Sequence, residues 1–281
     1  MRAIGGTRQL APPSAHAHAC WSYDDPADFD TRAQAFLLDG LPAGERVWLV
    51  TAEQPRDVVE RLRTVSDLGA ALGRGAAQVV PLTSTYRGDV IDPAAQVAAY
   101  AAATEQALAT GYTGLRVVAD ATSLVRTPAR LAAFARYEHL IDRYMRTRPM
   151  SAVCGYDRRE LGDQAVAELA CMHPEGNADD TLFRLHACDP GDGAAALSGE
   201  LDKFNLELFS TALDRADLRP VDGELVLWAS DLRFIDHHCL TWLRDHARRL
   251  GATAVLRTSR STAARLVDLL DLSGIRVEAA R

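Results

Sequence analysis

The chain has 281 residues and a formal net charge of −7, with 48% apolar and 25% charged side chains. That composition is globular and excludes a disordered chain, and no apolar run approaches the ~20 residues that a membrane-spanning helix needs. With 23 acids against 18 bases in residues 1–180 and 15 against 13 in 181–281, neither half is basic, which argues against nucleic-acid binding.

Residues 1–15 read as a flexible arm without the continuous apolar core of a secretory signal. The five cysteines, at 20, 154, 171, 188 and 239, form no CxxC pair, so reduced thiols and a cytoplasmic location are expected. Arg46–Thr51 (RVWLVT) predicts a buried strand and Pro55–Leu68 a helix. Ala76–Leu82 is a second strand. Pro93–Thr110 is an alanine-rich helix with proline in its first turn and Gly111 to stop it. Leu115–Asp120 (LRVVAD) is a third strand, Thr127–Arg146 a third helix, Ser151–Asp157 a fourth strand and Gly162–Met172 a last helix. Strands alternating with helices of this length imply right-handed crossovers and a mostly parallel sheet with flanking helices.

Cys171–Asp180 is polar and carries the glycine and proline of a boundary, and a linker is placed at 176–182. Beyond it the pattern is shorter. Two strands, Leu182–Ala187 and Ala194–Ser198, precede a helix over Asn205–Asp217. Glu224–Ala229 is a strand, and DLRFID leads into a helix from His237 to Leu250. Thr253–Arg257, Thr262–Leu270 and Ile275–Val277 complete a strand, a helix and a strand. The fold class is therefore α/β with two domains, 16–175 and 183–281.

In the second half, LSGELD (Leu197–Asp202), LVLWASD (Leu225–Asp231), LRFIDHHCLTWL (Leu232–Leu243), GATAVL and LLDLSGI resemble a STAS domain over 183–281. The resemblance implies a non-catalytic binding domain of the anti-sigma-factor-antagonist type, whose partner is an anti-sigma factor or serine-kinase-like regulator. It places the partner surface at Asp202, Asp236, His237, His238 and Thr241. Phosphorylation-switched members carry serine or threonine directly after the aspartate. Here His237 stands at that position, and Thr241, one helical turn on, is a weaker acceptor. Adjacent residues on a helix diverge by about 100°, so His237, His238 and Cys239 do not all face one ion. Cys239 is expected to pack inward, with one histidine in the partner surface.

The first half opens like a RecA-like ATPase core, with Gly40-Leu41-x-x-Gly44-Glu45 before a strand. That strand runs into TAEQPRD (Thr51–Asp57) in place of GxxxxGK[ST]. Without the glycines and lysine, a phosphate is not cradled, and ATP hydrolysis is not expected. HAHACWSYDD, FLLDGLPAGERVWLV, STYRGDVIDP, GYTGLRVVAD, FARYEHLID, AVCGYDRRELGD and the closing MHP together resemble the MEDS sensory domain, over about 16–175. The resemblance implies a RecA-like fold stripped of its P-loop that senses a small molecule.

Ligands of open parallel sheets sit beyond the carboxyl ends of the strands. Thr51, Glu53, Tyr86, Arg87, Asp120, Tyr156 and Asp157 occupy those ends, with Tyr156-Asp157 the best pocket candidate. The family-like motifs add His18, Cys20, Tyr23, Arg116, Tyr137, Glu138, Cys154 and His173. Arg116, inside an apolar strand, needs a carboxylate partner, for which Glu138 is the choice. His18 and Cys20 point the same way on an extended segment, and with His173 or Cys154 they fit zinc chemistry. His16 repeats their spacing. A single HxC pair is not a metal signature, so no metal is assigned and the ligand is an unknown small molecule. No GxSxG, HExxH or paired metal-binding cysteines are present, and the chain is read as non-enzymatic. The leading expectation is a signalling regulator in which the sensor controls the STAS surface. A ligand-independent scaffold with a vestigial pocket, or a residual nucleotide-binding protein, are the alternatives.

Overall fold

The computed structural model describes residues 17–86, 88–178 and 181–280. The 1–15 arm, His16 and Arg87 lie outside them. The first half runs β1 (His18–Tyr23), α1 (Pro26–Gly40), β2 (Arg46–Thr51), α2 (Pro55–Arg63), α3 (Ser66–Gly73), β3 (Ala77–Pro81), a single turn α4 (Leu82–Thr85), α5 (Pro93–Ala109), β4 (Leu115–Asp120), α6 (Pro128–Met145), β5 (Met150–Asp157), α7 (Arg158–Ala170) and β6 (Glu175–Gly176). Its six strands form one parallel sheet in the order β3-β2-β4-β5-β1-β6.

Alternation along these strands builds two apolar layers. Val47, Leu49, Val118, Val153 and Ala19 face one side, against Phe29, Phe36 and Leu37 of α1 and Val58 and Leu68 of α2 and α3. Val117, Ala119, Ala152, Cys154, Tyr156 and Cys20 face the other, against Tyr100 of α5, Phe134 and Ile141 of α6 and Leu169 of α7. Helices are capped where the sequence provides a short polar oxygen. Asp25 accepts from Ala27 N–H, Asp92 from Ala94 and Ala95, and Thr127 from Arg130.

Three local readings are corrected. The single helix over Pro55–Leu68 is two, because Val65 is extended (φ −93°, ψ 109°) and starts α3 afresh. The turn is tight: a Cβ on Gly69 would lie 3.0 Å from the Arg63 carbonyl. The last helix begins at Arg158, capped by Asp157, and bends at Gly162, whose φ of 78° is left-handed. Leu232–Ile235 is a strand in its own right and not merely a lead-in.

The second half contains β7 (Phe183–His186), β8 (Ala195–Leu201), α8 (Leu206–Ala216), β9 (Glu224–Trp228), β10 (Leu232–Ile235), α9 (His237–Arg249), β11 (Thr253–Arg257), α10 (Ser261–Leu269) and β12 (Ile275–Glu278). Parallel neighbours run β10-β8-β9-β11-β12, and β7 pairs antiparallel with β8. Gly199 sits where β8 meets both β7 and β10, with φ 89°, and a Cβ there would come within 2.2 Å of the Leu182 carbonyl.

The segment between the two sheets is packed. Asn177 accepts from Ser22 N–H (2.8 Å) and donates to Ser22 O (2.7 Å), and Ala178 is buried. Leu185 N–H donates to Cys171 O at 2.7 Å. One buried apolar cluster runs from Leu169 and Met172 through Phe183 and Leu185 to Phe209. Helix α8 lies against α6 and α7, where Arg215 pairs with Glu168 at 2.7 Å and Arg136 with Asp217 at 2.9 Å.

Candidate functional site

Strand β1 lies between β5 and β6 in the sheet and places His18 and Cys20 on the same face, the one covered by α6. On that helix Glu138 and Asp142 are four residues apart and so share a face. His18 is clamped between them: Nε2 lies 3.1 Å from Glu138 Oε2 and Nδ1 3.2 Å from Asp142 Oδ1, with all three side chains inaccessible or nearly so. Tyr156, on β5, donates its hydroxyl to Glu138 Oε1 at 2.6 Å. His173, after α7, brings its ring to 4.3 Å from that of His18, centroid to centroid. Its Nδ1 is 2.9 Å from the Leu169 carbonyl. A carbonyl only accepts, so Nδ1 carries the proton and Nε2 presents a lone pair, 3.5 Å from Glu138 Oε2 and without a hydrogen bond.

The charges follow from these contacts. Burial opposes a charge on His18, but the hydrogen bonds and negative charges of Asp142 and Glu138 prevail and raise its pKa from 6.5 to about 9. Burial would raise both carboxyls. For Glu138 the hydrogen bond and positive charge of His18 and the Tyr156 hydroxyl outweigh it; for Asp142, His18 and the Ala187 N–H do so, and both acids sit below their ordinary values. His173 is neutral, lowered by burial to about 4. Burial also pushes the Cys154 thiol well up. The cluster therefore holds two carboxylates, one imidazolium, one neutral imidazole and one thiol in the interior.

Of the fifteen ligand candidates in the sequence, the structure gathers His18, Cys20, Glu138, Cys154, Tyr156 and His173 around this cluster, and Cys20 lies outside the closest group. Ligand atoms of His18, Glu138, Cys154 and His173 all lie within 4.8 Å of one another. Tyr86 belongs to an adjoining aromatic group, its hydroxyl 3.1 Å from that of Tyr100 and its ring edge-on to Tyr137. The expected Arg116–Glu138 pair does not form. Arg116 projects from the opposite face of β4, where its Nε donates to Glu45 and its guanidinium covers the Phe36 ring. Tyr23 is also on that side, donating to Asp120 at 3.3 Å.

Tyr156 and Asp157 do not form one pocket. Neighbouring residues on a strand point opposite ways, and Asp157 caps α7 while Tyr156 is buried beneath α6. Of the other strand-end residues, Glu53 is taken by Arg61, and Asp120 accepts from the Thr122 hydroxyl and N–H. Asp142 was not among the candidates. Its signal is the spacing E-x-x-x-D within YEHLID, which sets two acids on one face of a helix.

In the second half, Asp236 caps α9 by accepting from Cys239 N–H (2.9 Å) and accepts from Lys203 N–H (3.0 Å), tying the loop after β8 to the helix. Asp202 caps the same loop through Phe204 N–H. Cys239 points inward, as expected, with its thiol on the Asp202 carbonyl. His237 and His238 are exposed, their rings 3.8 Å apart, and Thr241 is half-buried one turn on. Phe204 and Phe234 lie exposed at this same end.

No helix among the described residues is long and apolar enough to cross a membrane. A family model described as the MEthanogen/methylotroph, DcmR Sensory domain (MEDS) matches residues 17–174, more than half of the chain. No curated protein matches the chain.

Proposed function

The chain belongs to the MEDS family of sensory domains, and from that premise we propose that it is a non-catalytic signalling regulator whose sensory half sets the partner-binding surface of a STAS-like second half. The observation that carries this reading is the position of Asp142. One of its oxygens holds His18 in the buried cluster, and the other accepts from Ala187 N–H at 2.8 Å, at the end of β7 in the second half. A change in the charge or position of the cluster therefore pulls directly on the strand that pairs with β8. Strand β8 leads to the Asp202 loop, which Asp236 in turn fastens to α9. Coupling between the two sites requires this link to take a second arrangement that a ligand at the cluster favours.

The STAS-like strings support a protein partner of the anti-sigma, kinase-like class. The exposed group around Phe204, Phe234, His237 and His238 supplies apolar and aromatic surface for it. With histidine at 237, the serine switch is absent from that position, and control falls to the sensory half. Affinity capture with the full chain as bait tests the reading. A kinase-like or sigma-related regulator is expected, and Asp142→Ala is expected to change its capture by about 5-fold or more. Capture of no such protein, or capture indifferent to Asp142→Ala in a folded variant, overturns it.

A further inference from the structure

We propose that His18, Glu138, Cys154 and His173 form a binding site for one divalent transition-metal ion of borderline softness, zinc foremost. The donor set is two imidazole nitrogens, one carboxylate oxygen and one sulfur, which are the ligand types that zinc takes in four-coordinate sites. Their spacing fits. A tetrahedron with metal–ligand bonds of ~2.0 Å has edges of ~3.3 Å, and Glu138 Oε2 lies 3.1 Å from His18 Nε2 and 3.5 Å from His173 Nε2. All four donor atoms fall within 4.8 Å of one another, and all four residues are buried.

An independent feature points into the same place. The His173 Nε2 lone pair is fully buried, has no hydrogen bond and faces a carboxylate oxygen, which repels it. A buried acceptor without a donor costs free energy that a cation at this point removes. The ring is fixed in this tautomer by the Leu169 carbonyl, and His18 is oriented by Asp142 on its Nδ1. Glu138 is steadied by the Tyr156 hydroxyl on its other oxygen. Metal-binding histidines and carboxylates are ordinarily supported in this way, each through the atom that does not bind.

The charges also balance. On binding, the Nε2 proton of His18 and the thiol proton of Cys154 leave to solvent, and M²⁺ bonds form to both atoms, to Glu138 and to His173. Two positive charges enter and two protons depart, so the buried net charge is unchanged. The site joins β1, β5, α6 and the segment after α7, and its depth means that the ion goes in as these close together. This inference concerns the sensory half alone and holds whether or not the second half binds a regulator.

The test is to unfold the full chain in denaturant with a chelator, then refold it with one equivalent of zinc or cobalt(II). Retention of one ion per chain after desalting is expected. X-ray absorption of the zinc form should show one sulfur at about 2.3 Å and three nitrogen or oxygen neighbours at about 2.0–2.1 Å. The cobalt form should show a thiolate charge-transfer band that Cys154→Ser abolishes and Cys188→Ser leaves in place. A folded wild-type chain that retains far less than one ion, a sulfur-free or multi-sulfur shell, or a band that survives Cys154→Ser overturns the site. The absorption readout needs no variant, so it stands even if Cys154→Ser does not fold.

Discussion

At the scale of single residues, burial decides what each charge does. Arg116 and Glu45 are nearly inaccessible, so each depends on the other, and removing one leaves a buried charge unpaired. Glu45→Ala is expected to cost about 3 kcal/mol, read as a lower urea midpoint, while an apolar replacement of both residues recovers most of it. An equal loss in the double variant would contradict the pairing. Gly155 is fixed by contact and not by conformation. A Cβ there would come within 2.3 Å of the Phe29 ring, which is itself stacked on Tyr23 at 4.9 Å. Gly155→Ala is expected to destabilise by about 1–3 kcal/mol through overpacking. A thermal melt that matches wild type would show that α1 yields more readily than this packing allows.

At the scale of elements, most of the alternating strands and helices can be read from periodicity, since β2, β4 and β5 are buried on both faces and written as apolar runs. Strand β1 is harder to read because its sequence, HACWSY, mixes polar and apolar residues: His18 and Cys20 lie on the face of the charged cluster, Ser22 bonds Asn177 and Trp21 faces α1. The same mixing conceals which of the candidates meet. His18 and Cys20 stand out as a pair, but the partner that completes the closest group is Glu138, 120 residues away on a helix. Only the pairing of β1 with β5 brings it near. Asp142 needed the helix face, not the spacing of histidines, to be noticed. The Arg116 assignment failed for the matching reason, because a strand residue's charge partner depends on which face it takes. For α9, Asp236 is the cap, and Asp236→Ala is expected to cost about 1 kcal/mol and to loosen the loop carrying Lys203 and Phe204, seen as faster amide exchange at both. Unchanged exchange at Lys203 would mean that the loop does not depend on the cap.

At the scale of the whole molecule, the two sheets share a continuous apolar cluster and a set of polar links, Glu168–Arg215, Arg136–Asp217 and Asp142 to Ala187. That construction hangs β7 of the second half from the end of α7, through Leu185 N–H to Cys171 O, and from Asp142, which also holds His18 of β1. Denaturant unfolding is accordingly expected to be one cooperative transition by both tryptophan fluorescence and far-ultraviolet dichroism. Two separate transitions would mean that the halves fold independently.

The most direct measurement is amide hydrogen exchange on the full chain, comparing wild type with His18→Gln, which removes the imidazole partner of Asp142 and leaves the second half's sequence untouched. The coupling proposed between the cluster and the partner surface predicts faster exchange at Phe183–Ala187, in the 202–205 loop and at the start of α9. Changes confined to residues before 178 would contradict it.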